Sequence, residues 1–126
     1  MTVAKRAIRR IACLGEVMIE LVARPDWAAR LGVAGDTFNT AVYLARGLRD
    51  VGVEVAYVTA LGRDPYSERI LAAMQGHGIK TDWIERRDGM MPGLYAIDTD
   101  EAGERSFSYW RSDSAARSLF AEPCEM

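Results

Sequence analysis

The sequence predicts an α/β fold in which a parallel sheet carries a smaller β-lid. Three observations support this class: short β-branched runs that end in glycine, amphipathic helical segments between them, and closely spaced strand-like runs after residue 80. Strands that alternate with helices imply parallel neighbours in one sheet, whereas the late runs imply a hairpin built upon it. We therefore expect an open α/β/α layer structure with a small lid.

The first strand and helix are predicted from the first fifty residues. "IACLG" at 11–15 is an apolar run ended by glycine, and "VMIELVA" at 17–23 continues it in extended form until Pro25. A helix follows from Asp36 and is closed by "RDVG". Its apolar positions recur at spacings of three and four residues: Ala41, Val42, Ala45 and Leu48.

A second strand and helix follow directly. "VEVAYVTALG" at 53–62 is rich in β-branched residues and ends in glycine, which predicts a buried strand. In "DPYSERILAAMQGHG", Asp64 is placed to cap a helix, Pro65 to occupy its first position and Gly76 to end it. The order strand, helix, strand, helix indicates a parallel α/β core over about residues 8–80.

After that core, the predicted strands follow one another without helices between them. The strand-like runs "WIERR", "GLYAIDT" and "RSFSYWR" follow one another, and the turn-forming "DEAG" joins the last two. We assign the lid to residues of about 16–24 and 93–111. No internal repeat, low-complexity tract or flexible linker interrupts the chain, so residues 1–126 form part of one domain.

Composition narrows the function classes. The 126 residues are 49% hydrophobic, which suits a globular domain. Sixteen Lys and Arg against eighteen Asp and Glu give a net charge of -2 with interspersed signs, which disfavours nucleic acid as a partner. Glu16 and Glu20 interrupt the early apolar stretch, so neither a signal peptide nor a membrane span fits and the cytoplasm is the expected location.

The cysteines and the single histidine give no sign of metal or redox chemistry. Cys13 and Cys124 belong to no CxxC pattern, and Cys13 lies in an apolar run, so we favour two reduced thiols over a disulfide or a metal site. His77 in "QGHGIKTD" lies between glycines. We interpret it as a loop residue rather than a catalytic one.

The stretch "VAGDTFNTAVYLARGL" at 33–48 allows two interpretations. In the structural one, Asp36 caps the helix and Gly35 permits a sharp entry of the chain. In the functional one, Asn39 is a poor helix former in the first turn, where its amide, the free N–H groups and the helix dipole face a polar ligand. A polyhydroxylated ligand with a carboxylate would suit such a site.

Three further polar groups fall at or near predicted strand ends. Arg111 can bind a carboxylate through two parallel hydrogen bonds, and the hydroxyls of Tyr95 and Tyr109 can bind sugar hydroxyls. The competing interpretation is that these aromatic residues only pack across the hairpin.

At this point the motifs resemble a known family. "GEVMIEL", "GDTFNTAVYLAR", "YVTALGRDPYSERILAAMQGHGI" and "PGLYAIDTDEAGERSFSYWRSDSAAR" are similar to the N-terminal part of 2-dehydro-3-deoxygluconate kinases, within the ribokinase-like carbohydrate kinases. The resemblance runs from about Ile11 to Arg117. It implies an α/β/α fold with a β-lid, ATP and Mg²⁺ as cofactors, a lid-mediated homodimer, and phosphorylation of 2-dehydro-3-deoxy-D-gluconate at its terminal hydroxyl.

The resemblance also implies which residues bind the substrate. Arg111 matches a residue that also approaches ATP. Two departures are visible: Ala34 stands where relatives carry a first glycine, and Ser108 replaces an aromatic residue and so is expected to loosen the lid. The substrate-binding residues implied by the resemblance are Gly35, Asp36, Thr37, Phe38, Asn39, Tyr95, Tyr109, Trp110 and Arg111.

The catalytic base is not assigned within residues 1–126. In the family, a "GAGD"-type segment supplies the base and the anion hole, and we expect it beyond Met126; this sequence contains no such segment, no P-loop and no GxGxxG. Three accounts remain open: part of a kinase that is inactive alone, a stand-alone sugar-acid-binding module, or a non-functional remnant. The genomic sequence after codon 126 distinguishes them.

Overall fold

A computed structural model describes residues 6–121 of the chain, so the predicted thiol at Cys124 lies outside the described residues. Two 3-10 turns, Arg49–Val51 and Ala115–Ser118, accompany the regular elements. In chain order these are β1 (Arg10–Leu14), β2 (Met18–Ala23), β3 (Ala29–Ala34), α1 (Asp36–Gly47), β4 (Glu54–Leu61), α2 (Pro65–Gly76), β5 (Ile84–Arg86), β6 (Gly93–Thr99) and β7 (Arg105–Trp110).

The strands form two sheets. The core sheet has the order β1-β4-β5 and is parallel throughout, with Ile11 opposite Val55 and Thr59 opposite Ile84. The second sheet, the lid, has the order β3-β2-β6-β7, in which β2 and β6 run parallel and the outer pairs run antiparallel. The predicted combination of a parallel α/β core with a small β-lid is confirmed.

Two details of the early strands differ from the prediction. Residues 17–23 do not extend β1, because the chain leaves the core sheet at Gly15 and β2 pairs with β6 and β3 in the lid. Strand β3 was not predicted at all. Ala29, Leu31 and Val33 alternate with Arg30 and Gly32, a period of two that was a usable strand signal, and pairing with β2 holds the segment extended.

Both helices pack on one face of the core sheet. Helix α1 contributes Phe38 and Val42, helix α2 contributes Ile70 and Met74, and all four are buried in one cluster with residues of β1, β2 and β4. A smaller cluster covers the other face. It joins Val58 and Ala60 of β4 to Ala115 and Leu119 at the turn after the lid. The core therefore holds the lid at both its entry and its exit.

The structure confirms the predicted cap of α2 and contradicts that of α1. The Asp64 carboxylate accepts hydrogen bonds from the backbone N–H groups of Tyr66 and Ser67, and Pro65 opens α2, as the sequence predicted. The predicted Asp36 cap is wrong. Gly35 is the N-cap of α1, Asp36 is its first residue, and no side chain caps the helix. Asp36 lies instead inside the first turn, where the helix dipole favours a negative charge.

Cys13 is a free thiol in β1, and burial raises its pKa. His77 is the C-cap of α2, and its ring meets the Phe38 ring edge-on, with the ring centroids 6.3 Å apart.

Within residues 6–121, no helix has the length and apolar character needed to cross a membrane.

Candidate functional site

The candidate site lies where the chain passes between the core and the lid. The passages are residues 15–17 between β1 and β2, Gly35 between β3 and α1, the residues up to and including Gly93 at the start of β6, and the residues after Trp110. Three of them contain a glycine that the packing requires. They bring the end of β1, the start of α1 and the base of the lid together.

Gly35 is required by its backbone and by its surroundings. Its φ of 140° lies in a region that side chains rarely adopt, and a Cβ there would lie 2.8 Å from the carbonyl oxygen of Glu16. The β1–β2 connection is equally tight, since a Cβ on Gly15 would overlap Oγ1 of Thr37. The first turn of α1 is thus packed directly against the residues that enter the lid.

The first turn of α1 offers unpaired donors to a ligand. The first N–H groups of a helix have no partner within it, and no side chain caps them here. The first intrahelical bond runs from Asn39 N–H to the Gly35 carbonyl at 2.8 Å. Asp36 and Asn39 are exposed and Thr37 is half-buried. Backbone donors and two polar side chains are therefore accessible at one place.

Phe38 does not belong to this accessible group. Its side chain is 4% exposed and lies in the main core cluster beside His77. A contact through this side chain is not favoured, because a ring that fills the core cannot also line an open site. The predicted substrate contact of Phe38 stays a prediction that only its backbone can fulfil. Its position in the sequence, between Asp36 and Asn39, does not indicate that its side chain is buried whereas theirs are exposed.

The lid contributes an aromatic row. Tyr95 lies opposite Tyr109 in the β6–β7 register, with ring centroids 5.9 Å apart, and Phe107 stacks on Tyr109 at 6.4 Å. The Tyr95 hydroxyl donates to the Glu20 carboxylate on β2. Burial and this carboxylate raise the pKa of Tyr95, with a smaller contribution from Asp36 at the start of α1. Tyr95 therefore remains a neutral hydroxyl near the helix terminus.

Arg111 lies at the base of this row. Its guanidinium carbon is 4.9 Å from the centre of the Tyr109 ring, and its Nη1 is 3.9 Å from Oε1 of Glu16. The side chain is 48% exposed. A cation held by a ring and a carboxylate, yet open to solvent, can still bind an anionic ligand.

The structure separates Trp110 from its neighbours. Successive side chains of a strand point to opposite faces, so Tyr109 and Arg111 share one face of the lid and Trp110 lies on the other, opposite Leu94. The structure thus places Tyr95, Tyr109 and Arg111 on one face of the lid, while Trp110 lies on the other face and lines one cavity with Tyr109 and Arg111. Its substrate contact stays a prediction.

Sequence reasoning missed three polar residues of this region. Glu16 and Glu20 were used only as evidence against a membrane segment, although two carboxylates in "GEVMIE" next to a strand end were a usable signal. Ser114 gave no signal at all. Its hydroxyl donates to Oε2 of Glu16 at 2.5 Å across 98 residues of sequence.

A metal site built by this chain would need several ligating side chains close together. The structure of residues 6–121 contains no group of three or more His, Cys, Asp or Glu side chains suited to holding a metal ion. No step below is assigned to a metal held by these residues.

Comparison with known proteins shows what this arrangement resembles. The 2-dehydro-3-deoxygluconokinase of Dickeya dadantii (strain 3937) is 49% identical over 115 residues, which cover 91% of this chain and 37% of that protein. The protein of the same name from Escherichia coli (strain K12) is 45% identical over 109 residues, which cover 86% of this chain and 35% of that protein. The crystal structure of fructokinase with bound ATP from Xylella fastidiosa matches with a TM-score of 0.76 and 32% identity, over 87% of this chain and 33% of that one.

The fold and the site define part of a ribokinase-like α/β kinase domain with its β-lid. The pfkB family of carbohydrate kinases matches residues 8–124, and the chain belongs to this family. It spans about a third of the length of the curated relatives that it matches.

Proposed function

We propose that this chain forms the sugar-acid-binding part of a kinase that transfers phosphate from ATP to the terminal hydroxyl of 2-dehydro-3-deoxy-D-gluconate, giving the 6-phosphate. One observation carries the proposal: the open cation of Arg111 lies beside Glu16, whose backbone closes against Gly35 at the uncapped start of α1, and Tyr95 shares the lid face of Arg111 through the Tyr109 ring. The names of the relatives support the same substrate.

Each group has a distinct role in this proposal. The Arg111 guanidinium binds the substrate carboxylate, for which its planar fork of N–H donors is suited. The backbone N–H groups at the start of α1, with Asp36 and Asn39, bind hydroxyls along the sugar chain. The neutral hydroxyls of Tyr95 and Tyr109 complete the contacts from the lid side.

Positioning is this chain's contribution to phosphoryl transfer. The reaction depends on holding the acceptor hydroxyl in line with the phosphate and on stabilising the developing charge. ATP, with Mg²⁺, supplies the phosphoryl group when bound, and Arg111 is the residue here that we propose also approaches it. The remainder of the protein supplies the base, and we place the reaction in the cytoplasm.

The lid also forms our proposed homodimer contact. Strand β7 is an edge strand whose residues are all exposed, and Phe107 on it is 49% exposed. An apolar edge of this kind is suited to pairing with a second copy.

Ligand preference tests the proposed function. We expect the 126-residue chain to bind 2-dehydro-3-deoxygluconate more tightly than fructose, a neutral ketose, in titration calorimetry. Equal affinities would contradict a carboxylate-binding role for Arg111. The same comparison is then made on a hybrid in which residues 1–121 are joined to the remaining part of the Dickeya dadantii protein, with phosphorylation as the readout. Binding by the chain without turnover by the hybrid would favour a non-catalytic binding module.

A further inference from the structure

We propose that Glu16 is the positioning residue that fixes the lid, and Arg111 with it, over the start of α1. The proposal rests on the proposed function in one respect, because it explains how the side chains assigned to the sugar acid are held in place. Its geometric basis is independent of any ligand.

Glu16 lies in the first passage into the lid and touches each of the other three. Its carbonyl oxygen closes against Gly35, the passage from β3 to α1. Its carboxylate leaves no room for a side chain on Gly93, where a Cβ would lie 2.9 Å from Oε2. The same carboxylate contacts Ser114 and Arg111, which follow β7. One residue therefore joins every connection between core and lid within the described chain.

Backbone hydrogen bonds around Ser114 hold its hydroxyl in place for the bond to Glu16. Ser114 is 3% exposed, and its N–H donates to the Arg111 carbonyl at 3.3 Å. The next N–H, of Ala115, donates to the Met91 carbonyl at 2.9 Å, just before β6 begins. Because the backbone fixes the position of the hydroxyl, its bond to Glu16 ties the exit of the lid to its entry.

The charge of Glu16 acts on Arg111. The Glu16 side chain is 21% exposed, so its attraction for the guanidinium is less screened by water than that of a surface carboxylate. The contact involves one guanidinium nitrogen, and an arginine has five N–H donors. Glu16 can therefore orient Arg111 while other donors bind a substrate carboxylate.

Hydrogen exchange tests this role without any substrate. We expect Glu16→Ala to speed amide exchange in β6 and β7 by about 10-fold, while exchange in β4 stays unchanged, because only the lid loses its attachment. Glu16→Gln is expected to restore most of the protection, since its amide oxygen can still accept from Ser114. Glu54→Gln is the matched control, because Glu54 pairs with Arg10 at the far end of the core sheet.

A second variant covers the case in which Glu16→Ala does not fold. Ser114→Ala removes only the hydroxyl and is expected to speed lid exchange in the same strands. The double variant Glu16→Gln/Ser114→Ala should then exchange no faster than Ser114→Ala alone, since Glu16→Gln leaves this bond intact and the loss of the Ser114 hydroxyl is the change that breaks it. Unchanged lid exchange in the single variants, equal acceleration in β4 and the lid, or no rescue by glutamine would each overturn the proposal.

Sugar binding separates this inference from the proposed function. We expect Glu16→Ala to weaken binding of 2-dehydro-3-deoxygluconate by about 10-fold, with Glu16→Gln between it and the unchanged chain. If the unchanged chain binds no sugar acid but lid exchange responds as described, the proposed function fails and the role of Glu16 in the lid stands. Normal sugar-acid binding with an unresponsive lid would refute the role of Glu16.

Discussion

At the scale of single residues, the site depends on groups that keep a defined charge in a crowded place. Arg111 is a permanent cation held between the Tyr109 ring and the Glu16 carboxylate. Tyr95 stays neutral because burial and the Glu20 carboxylate oppose its ionisation. These two charge states lead to the first two predictions.

Replacement of Arg111 by Ala should weaken sugar-acid binding by about 2 kcal/mol or more, the size of a lost charged hydrogen bond. Binding of fructose should change much less. Arg111→Lys is expected to recover only part of the loss, because an ammonium lacks the planar fork. Titration calorimetry measures each affinity, and Arg105→Ala, which changes an exposed arginine at the start of β7, is the control. Equal losses for the acid and the neutral sugar would make Arg111 a structural or ATP-side residue.

Tyr95 should make the fold sensitive to alkaline pH. Its pKa in the folded chain is raised above the ordinary value of 10.0, so the unfolded chain loses this proton first as pH rises. The stabilisation is present below pH 10 and is lost as pH rises beyond it. Urea unfolding at pH 8 and at pH 10.5 should therefore show a smaller alkaline loss of stability for Tyr95→Phe than for the unchanged chain. An identical loss would show that Tyr95 is not the residue responsible.

At the scale of elements, the start of α1 and the outer edge of the lid differ in how closely they are packed. The entry is closed tightly, because Gly35 has no room for a side chain against Glu16. The edge strand β7 is open along its whole length. A closely packed attachment to the core and an exposed outer strand suit a lid that stays aligned on the core while its edge contacts a second copy of the chain, as proposed above.

Gly35→Ala should destabilise the fold by about 1–3 kcal/mol from backbone strain, with a further cost from the contact to Glu16. Gly47→Ala is the matched control in the same helix. No atom lies within 4 Å of a Cβ at Gly47, and the change should stabilise the helix by up to about 1 kcal/mol. Chemical denaturation measures both. A destabilisation by Gly47→Ala as large as that by Gly35→Ala would contradict this account of the helix entry.

The lid edge yields a prediction on assembly. The hybrid kinase should sediment as a dimer at micromolar concentration, and Phe107→Ser should shift it toward the monomer by removing an apolar contact. Val51→Ser changes an exposed apolar residue in the turn after α1 and should leave assembly unchanged. A monomeric hybrid in analytical ultracentrifugation would count against a lid-mediated dimer.

At the scale of the whole molecule, the chain contains the lid and a three-stranded part of a parallel sheet. It corresponds to about a third of its curated relatives. The resemblance assigns the base and the anion hole to a glycine-rich segment that residues 1–126 do not contain. Sugar binding and phosphoryl transfer are thus expected to depend on different parts of the kinase.

The 126-residue chain by itself should not phosphorylate 2-dehydro-3-deoxygluconate, whereas the hybrid should. The reason is that transfer needs a nucleotide held in line with the acceptor and donors for the developing charge. A coupled assay of ATP turnover with and without the sugar acid measures both proteins. Sugar-acid-dependent turnover by the chain, at a rate comparable with the hybrid, would contradict the assignment of the base beyond Met126.

Local sequence signals determined much of this protein. Asp64 and Pro65 began α2 as predicted, and apolar runs ended in glycine gave β1 and β4, because capping, proline geometry and strand packing act over a few residues. The turn-forming "DEAG" gave the β6–β7 hairpin for the same reason. The alternation of strands and helices gave the α/β class, and the family resemblance gave its ribokinase-like type.

Only the tertiary structure decided which side chains meet. It paired β2 with both β3 and β6, moved the Phe38 ring into the core, and set Trp110 on the face away from Arg111. It also joined Glu16 to Ser114. Sequence patterns fix the periodicity of one element, but the face that becomes buried and the contacts between distant segments depend on how separate elements pack, and no local signal contains that information.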